Sequence, residues 1–332
     1  MTADVRPDVP QRGLTTLLGL VVPLAIAAAA ALLALSWRSE LPDPVATHWG
    51  RDGVNGVGSL TGQVVVLTLV AVLCTVGGWA LAFFVGRASS VRRIGVGTSL
   101  GMTTFLSGLL LATLQPQKGL SDAYQAPDAV GAVAAVALVA LVVAALGALA
   151  VRPDPPRPST TPVQAPDGLV LPADARVAWV QHVRTVALGW IAVGVGACVV
   201  VIGIATDTAV LLVPLGVLIA ALLATFASFT VTVDGRGLTA RGTFGWPRLV
   251  VPLSEIEGVA VTQVRPLRDF GGWGYRVGRQ GRVGIVARAG DAVEVRRTGA
   301  RIVVVTVDDA STGATLLQAL AARATAGPVT GE

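Results

Sequence analysis

Leu14-Thr15-Thr16-Leu17-Leu18-Gly19-Leu20-Val21-Val22-Pro23-Leu24-Ala25-Ile26-Ala27-Ala28-Ala29-Ala30-Ala31-Leu32-Leu33-Ala34-Leu35-Ser36 is the stretch on which the fold turns. It contains no Asp, Glu, Lys, Arg or His. Two readings compete for it. A secretory signal peptide has an apolar core of roughly 7–15 residues, and the alanines at 27–31 mimic a cleavage region. The run is longer than that, however, and five comparable ones follow at 64–85, 94–114, 129–151, 186–206 and 208–227, all without a charged residue or histidine. We therefore read residues 14–36 as a retained helix. About 20 apolar residues cross the roughly 30 Å of hydrocarbon in a bilayer. A mid-span charge costs about 2.5–3.5 kcal/mol, while each large apolar residue returns only about 0.3–0.6, so the absence of charge from all six runs marks six spans.

Composition agrees. Of 332 residues 53% are hydrophobic and 14% charged, and the mean hydropathy is +0.71. Soluble domains carry about 25% charged residues, so the lipid bilayer is this chain's expected solvent. Cys74 and Cys198 fall inside apolar runs and read as small core residues rather than halves of a disulfide or zinc site.

The arginines set the orientation. Arg6 and Arg12 precede the first span, Arg87, Arg92 and Arg93 lie between the second and third, and Arg152, Arg157, Arg176 and Arg184 between the fourth and fifth. The other connections offset their cations with acids: Arg38 and Arg51 against Glu40, Asp43 and Asp52, and Lys118 against Asp122 and Asp128, with Asp207 alone in the last. The positive-inside rule then puts both termini in the cytoplasm and residues 37–62 outside.

That outward loop contains Leu41-Pro42-Asp43-Pro44, His48-Trp49-Gly50, Asp52-Gly53 and Gly58-Ser59. Pro, Gly and Asn recur so often that turns, rather than a helix or strand, are expected throughout. Leu41-Pro42, His48-Trp49, Gly53 and Gly58-Ser59 together resemble the extracytoplasmic loop of domain of unknown function 1648, the N-terminal module of Sdp-type toxin-immunity membrane proteins. Ala46, Asn55 and Leu60 depart from that pattern. The resemblance implies a bacterial plasma-membrane protein that binds a toxin or sequesters a regulator, with Pro42, His48, Trp49 and Gly53 as ligand contacts; Asp52, in the outward-facing cluster with His48 and Asp43, is a further candidate contact.

Residues 152–173 hold Arg152-Pro153-Asp154-Pro155-Pro156-Arg157-Pro158 and further Ser, Thr and Pro, which read as an extended linker between four helices and two. Residues 174–185 read as a helical lead-in, with Trp179 and His182 near the membrane interface. Gly97 and Gly101 permit close approach of the third span to another helix.

From residue 229 the period becomes two. Strands are expected at 229–233, 238–241, 248–252, 257–264, 283–288, 292–296 and 301–307, before a helix capped by Asp309 or Ser311. Seven strands and a closing helix suggest a small bent barrel over 229–325, with 326–332 as a tail. This order, with Val251-Pro252-Leu253-Ser254-Glu255-Ile256, resembles the bacterial pleckstrin-homology-like domains. The expected fold class is thus an α-helical integral membrane protein of about six spans with a C-terminal, mostly-β, pleckstrin-homology-like domain.

Residues 229–332 hold 13 of the chain's 25 basic residues, which favours contact with an anionic membrane or a cytoplasmic protein. No nucleic-acid reader motif is present. Trp246 and the Phe270-Gly271-Gly272-Trp273-Gly274-Tyr275-Arg276 stretch are candidate contacts, the latter alternatively a tight turn. Its glycines lack the lysine and context of a phosphate loop. The spans offer no titratable groups for catalysis or proton coupling. No cofactor or metal is expected, and the chain reads as a non-catalytic sensor or immunity-like protein; an uncoupled transporter, channel or flippase remains the alternative.

Overall fold

The computed structural model describes residues 9–50, 52–166, 169, 171–172, 175–205, 209–225, 227–245, 247–278 and 281–325. The chain divides into two compact units, Asp8–Asp154 and Pro155–Glu332.

The first unit contains four helices, α1 (Arg12–Ser36), α2 (Leu60–Phe84), α3 (Ser89–Leu114) and α4 (Val130–Ala150). All four are long and apolar enough to cross a membrane. Their outer surfaces are apolar too: Leu73, Leu138 and Leu149 are each more than 60% exposed. A water-soluble bundle would carry charge there, whereas lipid accepts an apolar surface. Pro23 cannot donate a backbone hydrogen bond, and the preceding residues 17–21 widen into a π turn in which the amide of Val22 bonds Leu17 O.

α3 packs against α1, α2 and α4. Its Gly95 lies so close to Gly78 of α2 that a Cβ there would sit 2.4 Å from Gly78 O. Buried Thr75 and Thr103 bond each other at 2.6 Å. Gly97 and Gly101 do receive a helix, namely α4, through Ala144.

One sequence expectation for this unit, and one that reaches into the second, need correction. The 41–59 loop contains a β-hairpin, β1 (Val45–Gly50) and β2 (Gly53–Gly58), rather than turns alone. Glycine is tolerated in it because side chains use the space. A Cβ on Gly50 would lie 2.4 Å from the Asn55 amide nitrogen, and one on Gly56 would lie 3.0 Å from His48 Cβ. Cys74 is half-buried. Cys198, in the second unit, is exposed on its helix rather than in a core.

The second unit begins its sheet earlier than expected. Residues 179–184 form β3 (Trp179–Arg184), not a helical lead-in, because they pair with β4 (Ser228–Asp234) while Trp179 packs over Gly313. Between these two strands lie α5 (Val186–Ala205) and α6 (Ala209–Ala224), apolar helices in close contact at Gly196 and Gly216. β5 (Gly237–Gly242) and β6 (Arg248–Pro252) complete an antiparallel four-stranded sheet.

β7 (Ile256–Val264), β8 (Gly274–Val277), β9 (Val283–Val286), β10 (Gly290–Arg297) and β11 (Arg301–Thr306) form a second sheet in the order β7-β10-β11-β9-β8, with α7 (Pro266–Phe270) between β7 and β8. The β11–β9 pairing is parallel and the others antiparallel. β8 differs from the tight turn expected at 270–276: Gly274–Val277 pairs antiparallel with β9. The closing helix α8 (Ala310–Thr325) is capped as expected: Asp309 accepts from Thr312 N at 3.2 Å. Leu317 and Leu320 are buried, as an amphipathic plug requires.

The Pro-rich segment lacks regular structure, as expected, yet is not a free linker. Ser159 N bonds Ser254 O, Val163 is buried, Gln164 O accepts from Gln318 and Pro172 O from Arg323. With no amide to donate, its prolines leave the segment to be held by neighbouring side chains.

Candidate functional site

The hairpin β1–β2 caps one end of the four-helix unit, and its anchoring decides what it can present. Val45 points into a cluster with Ala34, Leu60, Val64, Leu110 and Leu114. Ala46 joins Ala123 and Ala126 beneath Trp49, Val54, Val57 and Leu120. Between these apolar patches sits Gln117, fully buried. Its Oε1 accepts from Ala46 N at 2.7 Å, and its Nε2 donates to Ala46 O at 2.9 Å and to Thr113 O at 2.8 Å. The amide serves β1 as a neighbouring strand would, satisfying both backbone groups that the hairpin leaves over.

The five residues expected to contact a ligand divide in two. Pro42 is buried, and Trp49 is half-buried with its Nε1 donating to Ala126 O at 3.3 Å; both hold the hairpin in place. His48, Asp52 and Gly53 are exposed, Gly53 at the tip with φ +105°. His48 Nδ1 bonds Asn55 Oδ1, which fixes the ring across the strand pair. Among the described residues no group of three His, Cys, Asp or Glu side chains comes together as a metal site needs.

Beside the hairpin, a groove of about 380 Å³ is lined by Thr47, Ser59, Gln63, Val66, Leu109 and Thr113, among others. Gln63 Nε2 donates to Thr113 Oγ1 at 3.1 Å, while its buried Oε1 has no hydrogen-bond partner. Sequence reasoning passed over Gln63, Asn55 and Gln117. For Gln117 a weak signal did exist: it is an uncharged polar residue within three residues of the end of an apolar run.

The opposite end of the same unit gathers arginines. Arg92, fully buried, donates to Gly86 O at 2.7 Å and to Asp154 Oδ1 at 2.6 Å, while Asp154 Oδ2 accepts from Ser89 N at the start of α3. Arg93 donates to Val151 O, and Gln11 exchanges two bonds with the backbone of Arg152.

In the second unit Trp246 lies outside the described residues. Trp273, Tyr275 and Arg276 are together on the β8 hairpin, where Arg276 Nε donates to Trp273 O at 2.7 Å. Arg276 and Trp273 are exposed and Tyr275 half-buried, while Phe270 enters the core with Val264, Val286, Ala292 and Val304. Buried Glu255 binds Arg297 and Arg301 through Oε2 and accepts from Arg157 N through Oε1.

Comparison with known proteins gives no match to any family model, curated protein or solved structure.

Proposed function

We propose that the chain is a non-catalytic, multi-pass protein of the bacterial plasma membrane, with six spans and both termini in the cytoplasm. Its hairpin faces outward to contact an extracellular peptide or envelope component. The observation that carries this reading is the hairpin's construction: two apolar clusters and the Gln117 amide hold it against the helices, while His48, Asp52 and Asn55 stay exposed. Binding loses less entropy when the contact surface is ordered beforehand.

The segregation of charge within the helical unit supports the orientation. Arg87, Arg92, Arg93 and Arg152 belong to the end opposite the hairpin, as the positive-inside rule requires of a cytoplasmic face. The likeness to domain of unknown function 1648 supports an immunity or sensing role. A four-stranded antiparallel sheet, a second sheet and a closing helix support the pleckstrin-homology-like reading of this unit. Such a domain would take a cytoplasmic protein or lipid as partner. The transport alternative requires a polar route between helices, whereas the α2–α3 and α3–α4 contacts are closed at backbone distance by Gly78, Gly95 and Gly101.

A photo-crosslinking residue at Asp52, in intact cells, tests the reading. The expected result is an adduct with a secreted peptide or envelope component that is lost on His48→Ala. The opposite result is the absence of any adduct, together with solute flux in proteoliposomes that His48→Ala leaves unchanged.

A further inference from the structure

The four-stranded sheet has one face in the core, with Phe229, Val231, Leu238, Ala240 and Val251 buried, and one face open. On the open face the register places His182, Thr230, Arg241 and Arg248 in a single row across all four strands. Arg184, two residues beyond His182, shares that face. His182, Arg184, Arg241 and Arg248 are all exposed. Among the described residues none of these arginines forms an ion pair. Asp234 is at the other end of β4 and is held by Arg236 at 2.9 Å.

Arg241 directly opposite Arg248 is a repulsive cross-strand pair. The fold retains it without a carboxylate between the two. The row also lies at a particular end of the sheet. Arg184 is separated from α5 by Thr185 alone, and the β5–β6 turn is tied to the end of α6, with Thr243 Oγ1 donating between Ala224 O at 3.2 Å and Ser228 O at 3.3 Å. Phe244, next in that turn, is 69% exposed.

The geometry points to this end of the sheet as a binding surface for the phosphate headgroups of anionic lipids, with Arg184, Arg241 and Arg248 as the phosphate ligands and Phe244 entering the interface. The assignment rests on the six-span reading, since α5 and α6 in lipid would place the row where the hydrocarbon ends and the phosphates begin. Guanidinium groups bind phosphate through paired N–H donors, and an exposed Phe beside them can bury its ring at the headgroup/acyl boundary. The headgroups supply the counter-charge that the Arg241–Arg248 pair lacks. A free phosphate shares this chemistry, but it neither lies beside an apolar helix nor uses an exposed phenylalanine.

The test titrates the full-length protein in neutral detergent with phosphatidylglycerol, phosphatidylcholine or glycerol phosphate and follows binding by native mass spectrometry. Phosphatidylglycerol should bind most tightly and in a salt-dependent manner. Each arginine contributes about fivefold, so R184Q/R241Q/R248Q should weaken binding on the order of 100-fold, while R184K/R241K/R248K retains most of it. Equal binding of the two lipids, an unchanged triple glutamine variant, or glycerol phosphate binding as tightly as the lipid would each overturn the proposal. A single cysteine at position 207, with Cys74 and Cys198 replaced by Ala, separates the two readings. Labelling from outside the cell together with an unaltered glutamine variant sinks the headgroup surface alone. Labelling only after permeabilisation sinks the six-span reading and the headgroup surface with it.

Discussion

Replacing Gln117 with Ala removes three hydrogen bonds at once, and the structure fixes what that costs. Ala46 and Gln117 are both fully buried, so the N–H and C=O of Ala46 lose their partners in a place that water does not reach. A buried group left unsatisfied costs about 1–3 kcal/mol; two of them, with partial relaxation, amount to about 2–4 kcal/mol. The penalty is local to the hairpin, because the apolar contacts of α1 to α4 are untouched. At about 1.4 kcal/mol per tenfold, hydrogen exchange at the Ala46 amide should accelerate roughly 30- to 1,000-fold in the full-length protein in nanodiscs, while amides in α4 stay as they were. Gln117→Glu retains an acceptor for Ala46 N but loses the donor for Ala46 O, and should restore little. An unchanged exchange rate at Ala46 in Gln117→Ala would refute the view that this amide holds the hairpin in place.

Arg92→Ala leaves Asp154 without its buried cation and should cost about 3–5 kcal/mol, read as a lower midpoint of thermal unfolding in detergent. Glu255→Ala removes the carboxylate shared by Arg297 and Arg301 and the acceptor for Arg157 N; hydrogen exchange at the Arg157 amide should then accelerate while amides in α8 stay as they were. Gly78→Val forces a side chain to within 2.4 Å of Ser99 Oγ and 2.6 Å of Gly95 O, and should destabilise the α2–α3 contact by at least the typical 1–3 kcal/mol of overpacking, again seen as a lowered unfolding midpoint. The Asp309 carboxyl is held below its ordinary value of 3.8, chiefly by its hydrogen bond with Thr312. Because its folded pKa is depressed, its contribution to capping α8 is complete above 3.8 and lost as pH falls below it, which amide chemical shifts of Thr312 would follow.

The helices were legible because a span announces itself by composition alone: about 20 residues without charge need no knowledge of their neighbours. The strands from β4 onward, β8 excepted, were legible for a similar reason, as where Phe229, Val231 and Val233 alternate with Thr230 and Thr232 along one strand. What was not legible depends on partners distant in sequence. β3 contains Trp179, Gln181 and Val183 in alternation, but six residues of alternation do not distinguish a strand from a helical approach without β4 beside them. The hairpin at 45–58 hid behind its glycines, whose absent side chains make room for Asn55 and His48. Gln117 reaches Ala46 across 71 residues, a pairing that no local pattern encodes. At the candidate site, the sequence located the exposed His48 and Asp52 but not the distinction between residues that present a surface and those, such as Pro42 and Trp49, that hold it.

The placement of β3 and β4 also constrains how the last two helices relate to a membrane. Arg184 and Ser228 are paired across adjacent antiparallel strands, so the chain leaves the sheet into α5 and returns from α6 at the same end. A crossing by one helix must therefore be undone by the other, or neither crosses. In both cases β3 and β4 share a side of the membrane, and a crossing by each of α1 to α4 would return the chain to the side from which it began. On the proposed topology the sidedness of the β domain would thus depend on an even number of crossings rather than on whether there are four or six. A reagent that reached the β domain from outside the cell while the N-terminus stayed protected would break that parity, and a crossing by one of α1 to α4 would then be the first assignment to fall.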